Sequence, residues 1–273
     1  MVFLPRADVS SPATAVKAPG GDNPVTKTRI VGASPGGGSS ACLPISVIIP
    51  ALNEEGSIGA VVRCASAAAE VIVVDGGSED RTCLRAESAG ALVVTASRGR
   101  GLQMNSGAAA ATSPVLLFLH ADTMLPPGFE NEVGRLLASE SSSGAGAGWG
   151  RFDIDFDQAG ALLKLIAFLI NHRSRLTRSA SGDQAIFARK DLFYEAGGYQ
   201  ESYLFEDIGL SRRLRGMAAM AVPLSRVVTS SRRWTQRGLL RTTLLMWSLK
   251  LLYLAGVSGD RLERFYYPAD SRR

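Results

Sequence analysis

The chain has 273 residues, 46% of them apolar and 20% charged, a globular composition with length enough for one large core. Three cysteines (Cys42, Cys64, Cys83) without a CxxC pair, and only two histidines, exclude a disulfide scaffold, a zinc ribbon and a multi-histidine metal cage. The net charge of +5 hides an asymmetry: residues 1–207 hold 17 Lys/Arg against 22 Asp/Glu, and residues 208–273 hold 13 against 3.

Residues 1–44 contain six prolines, six glycines and five serines, with Asp8 and Asp22 as their only acids. Such a stretch buries too little apolar surface to order itself, so it reads as a disordered leader or an organellar targeting segment. From Ile45 the pattern changes. Residues 45–50 form a β-branched run closed by Pro50, the mark of a fully buried strand, and a helix is expected over 55–69. A second buried strand spans 70–75 and stops at Gly76-Gly77-Ser78. A helix over 79–89, a strand over 91–94, an alanine-rich helix over 101–111 and a strand over 115–119 follow. Strands alternating with helices predict an α/β fold with a mostly parallel sheet. Ligands of such sheets bind beyond the carboxyl ends of the strands.

Those ends carry the chemistry. The first strand leads into Asn53-Glu54-Glu55, the second into Asp75-Gly76-Gly77-Ser78-Glu79-Asp80, the fourth into His120-Ala121-Asp122. Singly, Asn53, Ser78 and Asp80 read as helix N-caps. Together they suit a nucleotide, and a carboxylate such as Asp122 suits a hard divalent cation, Mn2+ or Mg2+, beside diphosphate oxygens. Arg98 and Arg100 bracket Gly99 ahead of a helix start, a place that favours phosphate. A dinucleotide fingerprint fails there, because Met104 stands where its third glycine belongs, and no P-loop lysine motif exists. Farther on, Glu206 and Asp207 open a helix striped by Ile208, Leu210 and Leu214. Acids there serve as caps, and the same dipole keeps Asp207 ionised, as a general base requires.

Five segments in order, VIIPALNEE (47–55), VIVVDGGSEDRT (71–82), LLFLHADT (116–123), GDQAIFARK (182–190) and FEDIGLSRRL (205–214), resemble the family 2 glycosyltransferases of GT-A fold. Residues 230–258 look like the narrower subgroup associated with arsenosugar biosynthesis. The resemblance implies inverting transfer of a sugar from a nucleotide-sugar donor, assisted by a divalent cation. It implies that Pro50, Asn53, Glu54 and Asp75 line the donor's nucleoside pocket, and that Asp122 is the last aspartate of a DxD metal motif. It puts Gly182, Asp183 and Gln184 on the acceptor side. Asp207 becomes the catalytic base, with Glu206 its competitor. Two positions depart from the pattern: Gly76 replaces the second aspartate of the DDGS form, and His120 the first aspartate of DxD.

The expected organisation is a leader over 1–44, a catalytic domain over 45–235 and a C-terminal helical tail over 236–273. No apolar run reaches the roughly 18 residues of a spanning helix. Leu239 to Val257 comes nearest and carries Arg241 and Lys250. The tail is expected to pack on the domain, on a second subunit or on a membrane surface, so a homo-oligomer and peripheral membrane contact are both open, as is a small-molecule or lipid acceptor. The expected location is cytoplasmic, or an organelle if the leader is a transit peptide. Two alternatives are a nucleotidyltransferase, which has little use for a base such as Asp207, and a catalytically silent membrane-surface protein of the same fold. No nucleic-acid-binding module is recognisable.

Overall fold

The computed structural model describes residues 43–138, 147–200 and 205–232, with Ser248, Leu249, Leu252 and Val257 beyond them. In chain order the elements are β1 (Ile45–Ala51), α1 (Ile58–Cys64), β2 (Glu70–Asp75), α2 (Thr82–Ser88), β3 (Leu92–Thr95), α3 (Arg100–Ala110), β4 (Val115–Phe118) and β5 (Thr123–Met124). There follow α4 (Phe129–Ala138), β6 (Ala147–Gly150), β7 (Asp153–Phe156), α5 (Ala161–Thr177) and a 3-10 turn (Gly182–Gln184). The last elements are β8 (Ile186–Arg189), α6 (Lys190–Glu195), α7 (Glu206–Met217), β9 (Ala219–Ala221) and β10 (Arg226–Thr229).

A seven-stranded sheet in the order β3-β2-β1-β4-β8-β6-β9 forms the centre. The first four strands in that order are parallel, as the alternation of strands and helices predicts. All seven residues of β1 are buried, because the strand is covered on both sides. Val47 and Ile49 join α1 and α4 in one apolar cluster. Ile48 points the other way, into a second cluster with Ile72, Val74, Met104, Phe193 and Leu210.

Two features place the functional loops. β8 runs antiparallel to β4, with Ile186 opposite Phe118, so the residues just before β8 fall beside those just after β4. The second feature is a three-stranded sheet, β5-β10-β7, which the sequence pattern did not predict. Its strands are only two to four residues long, too short to show a period. There the Thr123 and Thr229 hydroxyls meet at 3.0 Å in the interior, fixing the turn that carries Asp122.

The helices expected over 55–69 and 79–89 are shorter, at Ile58–Cys64 and Thr82–Ser88. Residues 55–57 and 65–69 around α1, and 79–81 and 89 around α2, are turns and bends instead of helix, and the amides of Glu54, Glu55, Glu79 and Arg81 are bonded by side chains between the two loops. Apart from the four positions named above, the expected tail over 236–273 lies outside the described residues, as do residues 1–42 of the expected leader.

Helix α3 lies close against β1 and β2 because residue 107 is glycine. A Cβ there would overlap Ile48 and stand 2.9 Å from Val74 Cγ2. Gly107→Ala is therefore expected to lose stability. Overpacking a tight interior costs about 1–3 kcal/mol, and the better helix propensity of alanine returns about 1 kcal/mol. An unfolding midpoint in urea equal to or above the parent's would contradict this close packing.

Candidate active site

The loops that follow β1 and β2 are sewn together by five hydrogen bonds. The Asn53 amide donates to Ser78 Oγ at 2.9 Å, that of Glu54 to Thr82 Oγ1 at 2.8 Å and that of Glu55 to Asp80 Oδ2 at 3.1 Å. In return the Glu79 amide donates to Asn53 Oδ1 at 2.9 Å, and that of Arg81 to Glu55 Oε2 at 3.3 Å. Asn53 takes a φ of 54°, a left-handed conformation that asparagine tolerates. The N-caps of α1 and α2 are Ser57 and Arg81, neither with a side-chain cap bond; Asn53 and Ser78 act as cross-links, while Asp80 both crosses to Glu55 and accepts from the Thr82 amide at 2.9 Å at the start of α2. Pro50 sits inside β1, opposite Val74.

Asp75 is buried at the end of β2. Burial works to raise its pKa, but bonds from the Ser78 hydroxyl and from the Ser78 and Gly77 amides outweigh it and hold the carboxyl below its usual range. Beside it lies Gln103 of α3, whose Nε2 donates to Ala51 O at 2.9 Å and to Val74 O at 2.8 Å. One side chain thus clamps the ends of β1 and β2. It also accounts for Gly76, since a Cβ there would stand 3.0 Å from Gln103 Nε2. Gln103 was not among the expected site residues. The signal was a polar residue on the same helical stripe as Gly107 and Ala111, where apolar residues belong.

At the end of β4 the chain turns through His120 and Asp122. The Asp122 carbonyl accepts from the Ser230 amide at 3.1 Å, while its half-buried carboxylate makes no hydrogen bond or ion pair with another described residue. Among the described residues no three His, Cys, Asp or Glu side chains are grouped to hold a metal. That is too few for a protein-caged cation. It fits a cation that takes its other oxygens from a diphosphate and water, the habit of Mg2+. The same segment brings Arg232 to 3.5 Å from Glu54, on the first loop.

The 3-10 turn and α7 meet at this edge. The Gly182 amide donates to Asp207 Oδ2 at 2.6 Å, and a Cβ on residue 182 would overlap the His120 ring. Asp207 Oδ1 accepts from the Ile208 amide at 2.7 Å. Gln184 is fully buried; its Oε1 accepts from the Ser181 amide at 3.0 Å, and its Nε2 has no hydrogen-bond partner among the described residues. Arg173 of α5 faces Asp183 and Asp207. Burial works against its charge, the two carboxylates favour it, and its Nη2 is shut from solvent without a hydrogen bond. Nothing in the sequence marks Arg173, because both partners are distant along the chain.

The acidic pair divides sharply. Glu206 is 4% exposed and faces Arg100 at 3.6 Å, whereas Asp207 is half-buried on the Gly182 side. Burial raises the Glu206 pKa to about 7, with Arg100 opposing and Asp207 adding to the rise. Phe205 precedes the pair at a φ of 66°, a strained value for an aromatic residue. The phenol of Tyr199 is pushed well up by burial, and Asp207 and Glu206 add to that. Arg100, expected at the donor or acceptor, thus lies against α7; Arg98 is exposed on the loop before α3. Ile208 is only half-buried, so the anchoring stripe of α7 is Leu210 and Leu214 together with Glu206 itself.

The model of the glycosyl transferase family 2 domain matches residues 46–193, more than half of the chain. The chain belongs to glycosyl transferase family 2. It is 38% identical over 85 residues to an uncharacterized glycosyltransferase of Mycobacterium tuberculosis, a match that covers 31% of this chain and 39% of that protein. It is 35% identical over 96 residues to glucosyl-3-phosphoglycerate synthase of Mycolicibacterium smegmatis, covering 30% of this chain and 32% of that one. The matches thus span well under two thirds of either relative. The crystal structure of the Mycobacterium tuberculosis glucosyl-3-phosphoglycerate synthase with Mn2+, uridine diphosphate and phosphoglyceric acid has a TM-score of 0.55 and 25% identity to this chain. That likeness covers 79% of this chain and 80% of the synthase, and the shared fold is GT-A.

The raised Glu206 pKa has a consequence for stability. The folded state holds this proton more tightly than the unfolded chain, so the contribution is complete below the unfolded value near 4.5 and is lost as pH rises through about 7. Glu206→Gln imitates the protonated form. Between pH 5 and pH 8 its unfolding midpoint should therefore gain on the parent's. A difference between the two proteins that does not change with pH would contradict the assignment.

Proposed function

We propose that this chain is an inverting glycosyltransferase that moves a sugar from a nucleoside diphosphate sugar to an acceptor hydroxyl. The observation that carries the reading is the junction at Gly182, where the His120 ring of the turn that leads to Asp122 and the carboxylate of Asp207 meet at one residue. Family membership and the likeness to a synthase crystallised with Mn2+ and uridine diphosphate support it.

The geometry supports the following roles. The cross-linked loops around Asn53, Glu54 and Asp75 receive the nucleoside, with Gln103 holding their floor. Asp122 would hold a divalent cation, Mn2+ or Mg2+, which when bound would supply charge neutralisation for a departing diphosphate. Arg232 adds positive charge from the neighbouring segment. Asp207 accepts the proton of the acceptor hydroxyl as that oxygen attacks the sugar from the face opposite the diphosphate, which inverts the anomeric centre. Gly182 holds the Asp207 carboxylate through its amide, and Arg173 stands near it. Glu206 is a buried partner of Arg100, which supports the base role for the second acid of the pair. The likeness of residues 230–258 to the arsenosugar-associated subgroup supports that narrower placement and leaves a small-molecule or lipid acceptor as the substrate class.

Two substitutions separate these roles. Asp207→Asn should keep uridine diphosphate binding and lose turnover by about 100-fold or more, at a stability cost of about 1–3 kcal/mol, since asparagine can accept from only one of the Gly182 and Ile208 amides. Turnover like the parent's would remove Asp207 from the chemistry. Asp122→Asn should abolish the gain in uridine diphosphate affinity that Mn2+ gives the parent, measured by calorimetry, with an unchanged melting curve. A retained Mn2+ dependence would place the cation elsewhere.

A further inference from the structure

We infer that the open face of α5 docks on an anionic lipid surface. The helix runs 17 residues, about 25 Å at 1.5 Å per residue. One side is committed to the protein. Leu163, Ile166, Ala167, Asn171 and Ser174 are buried, and the Asn171 amide clasps Ile154 through bonds of 2.9 and 3.0 Å. Arg175 reaches Asp153 at 2.6 Å. These bonds fix which way the opposite side faces.

That opposite side is apolar and open. Leu162, Leu165, Phe168, Leu169 and Leu176 are between 40% and 73% exposed, and at 100° per residue all five fall in a sector of about 120°. A stripe of that width normally faces a core. His172 lies within it, stacked on Phe168 at 5.7 Å and 13°.

Charge selects the occupant. The helix Ala161–Thr177 contains no Asp or Glu. Lys164 and Arg175 border the stripe on one edge, Arg178 follows its end, and the group Arg151, Asp153 and Arg175 still carries a net positive charge. A second copy meeting this face across a two-fold axis would set basic residues against their own counterparts with no acid on the helix to answer them. Residues 233–273 hold eight Lys/Arg against three Asp/Glu, so they too would bring like charge. An apolar stripe bordered by basic residues matches a helix lying in the headgroup boundary of an anionic membrane. The last turns of α5 adjoin the candidate site, because Arg173 faces Asp183 and Asp207 and Ser174 Oγ donates to Ser179 O at 2.6 Å. A surface held by this face therefore lies near the 3-10 turn. The docking does not depend on the reading of the site's chemistry.

The test is co-sedimentation of the full chain with vesicles of phosphatidylcholine and phosphatidylglycerol, against phosphatidylcholine alone, at low and high salt. The parent should bind the anionic vesicles and come off as salt rises. Leu165→Glu combined with Phe168→Glu should lower that binding about tenfold or more while the melting curve and uridine diphosphate binding stay unchanged. Equal binding by parent and variant, or no binding by the parent, overturns the inference. So does a parent that sediments as a dimer which the variant dissociates, since the face then belongs to a second copy. If the double variant does not fold, hydrogen exchange in the parent decides: slower exchange over 161–172 on adding anionic vesicles supports docking, and unchanged exchange there overturns it.

Discussion

The site depends on residue 182 having no side chain. Because β8 runs antiparallel to β4, with Ile186 opposite Phe118, the turn before β8 is pressed against His120 at the end of β4. Only glycine fits between that ring and α7, and its amide is then close enough to hold Asp207 at 2.6 Å. Three segments far apart in the chain, at 120–122, 182–184 and 206–207, are thereby brought into register. The rest of the fold serves this junction. The small sheet of β5, β10 and β7 pins the turn after β4, and the packing of α7 through Leu210 and Leu214 fixes its first turn.

Electrostatics then separates two neighbouring acids. Adjacent residues on a helix point about 100° apart, so one of the pair turns inward and the other toward the cleft. Glu206 goes inside, where the loss of water favours its protonated form and Arg100 only partly offsets that loss. Asp207 stays half-exposed with backbone donors on both oxygens and Arg173 nearby. The fold thus gives two chemically similar side chains opposite surroundings by one residue step along the helix.

Much of the parallel half of the sheet was legible in the sequence, because buried strands such as residues 45–50 and 70–75 are continuous apolar runs with sharp ends. The strand-end residues were legible for the same reason: Asn53, Asp75 and Asp122 interrupt those runs. What Asn53, Ser78 and Asp80 do was not, since a side chain that caps its own helix and one that crosses to another loop look alike in one dimension. The helices at 55–69 and 79–89 were drawn too long because their ends are turns and bends, whose boundaries the apolar spacing does not mark. Gln103 takes its meaning from partners 52 and 29 residues away, and Arg173 from partners 10 and 34 residues away, and no local pattern encodes such pairs. The short strands of the second sheet carry too few residues to show a period.

The central claim is that one carboxylate, Asp207, removes the acceptor proton in a single displacement at the sugar. The most direct measurement is the anomeric configuration of the first product by proton NMR, using whichever α-linked nucleotide sugar supports turnover. A single displacement requires a β-linked product. An α-linked product would contradict the account, because retention needs either a second displacement or attack from the same face as the leaving diphosphate, and Asp207 as placed beside Gly182 would then not be acting as the base described.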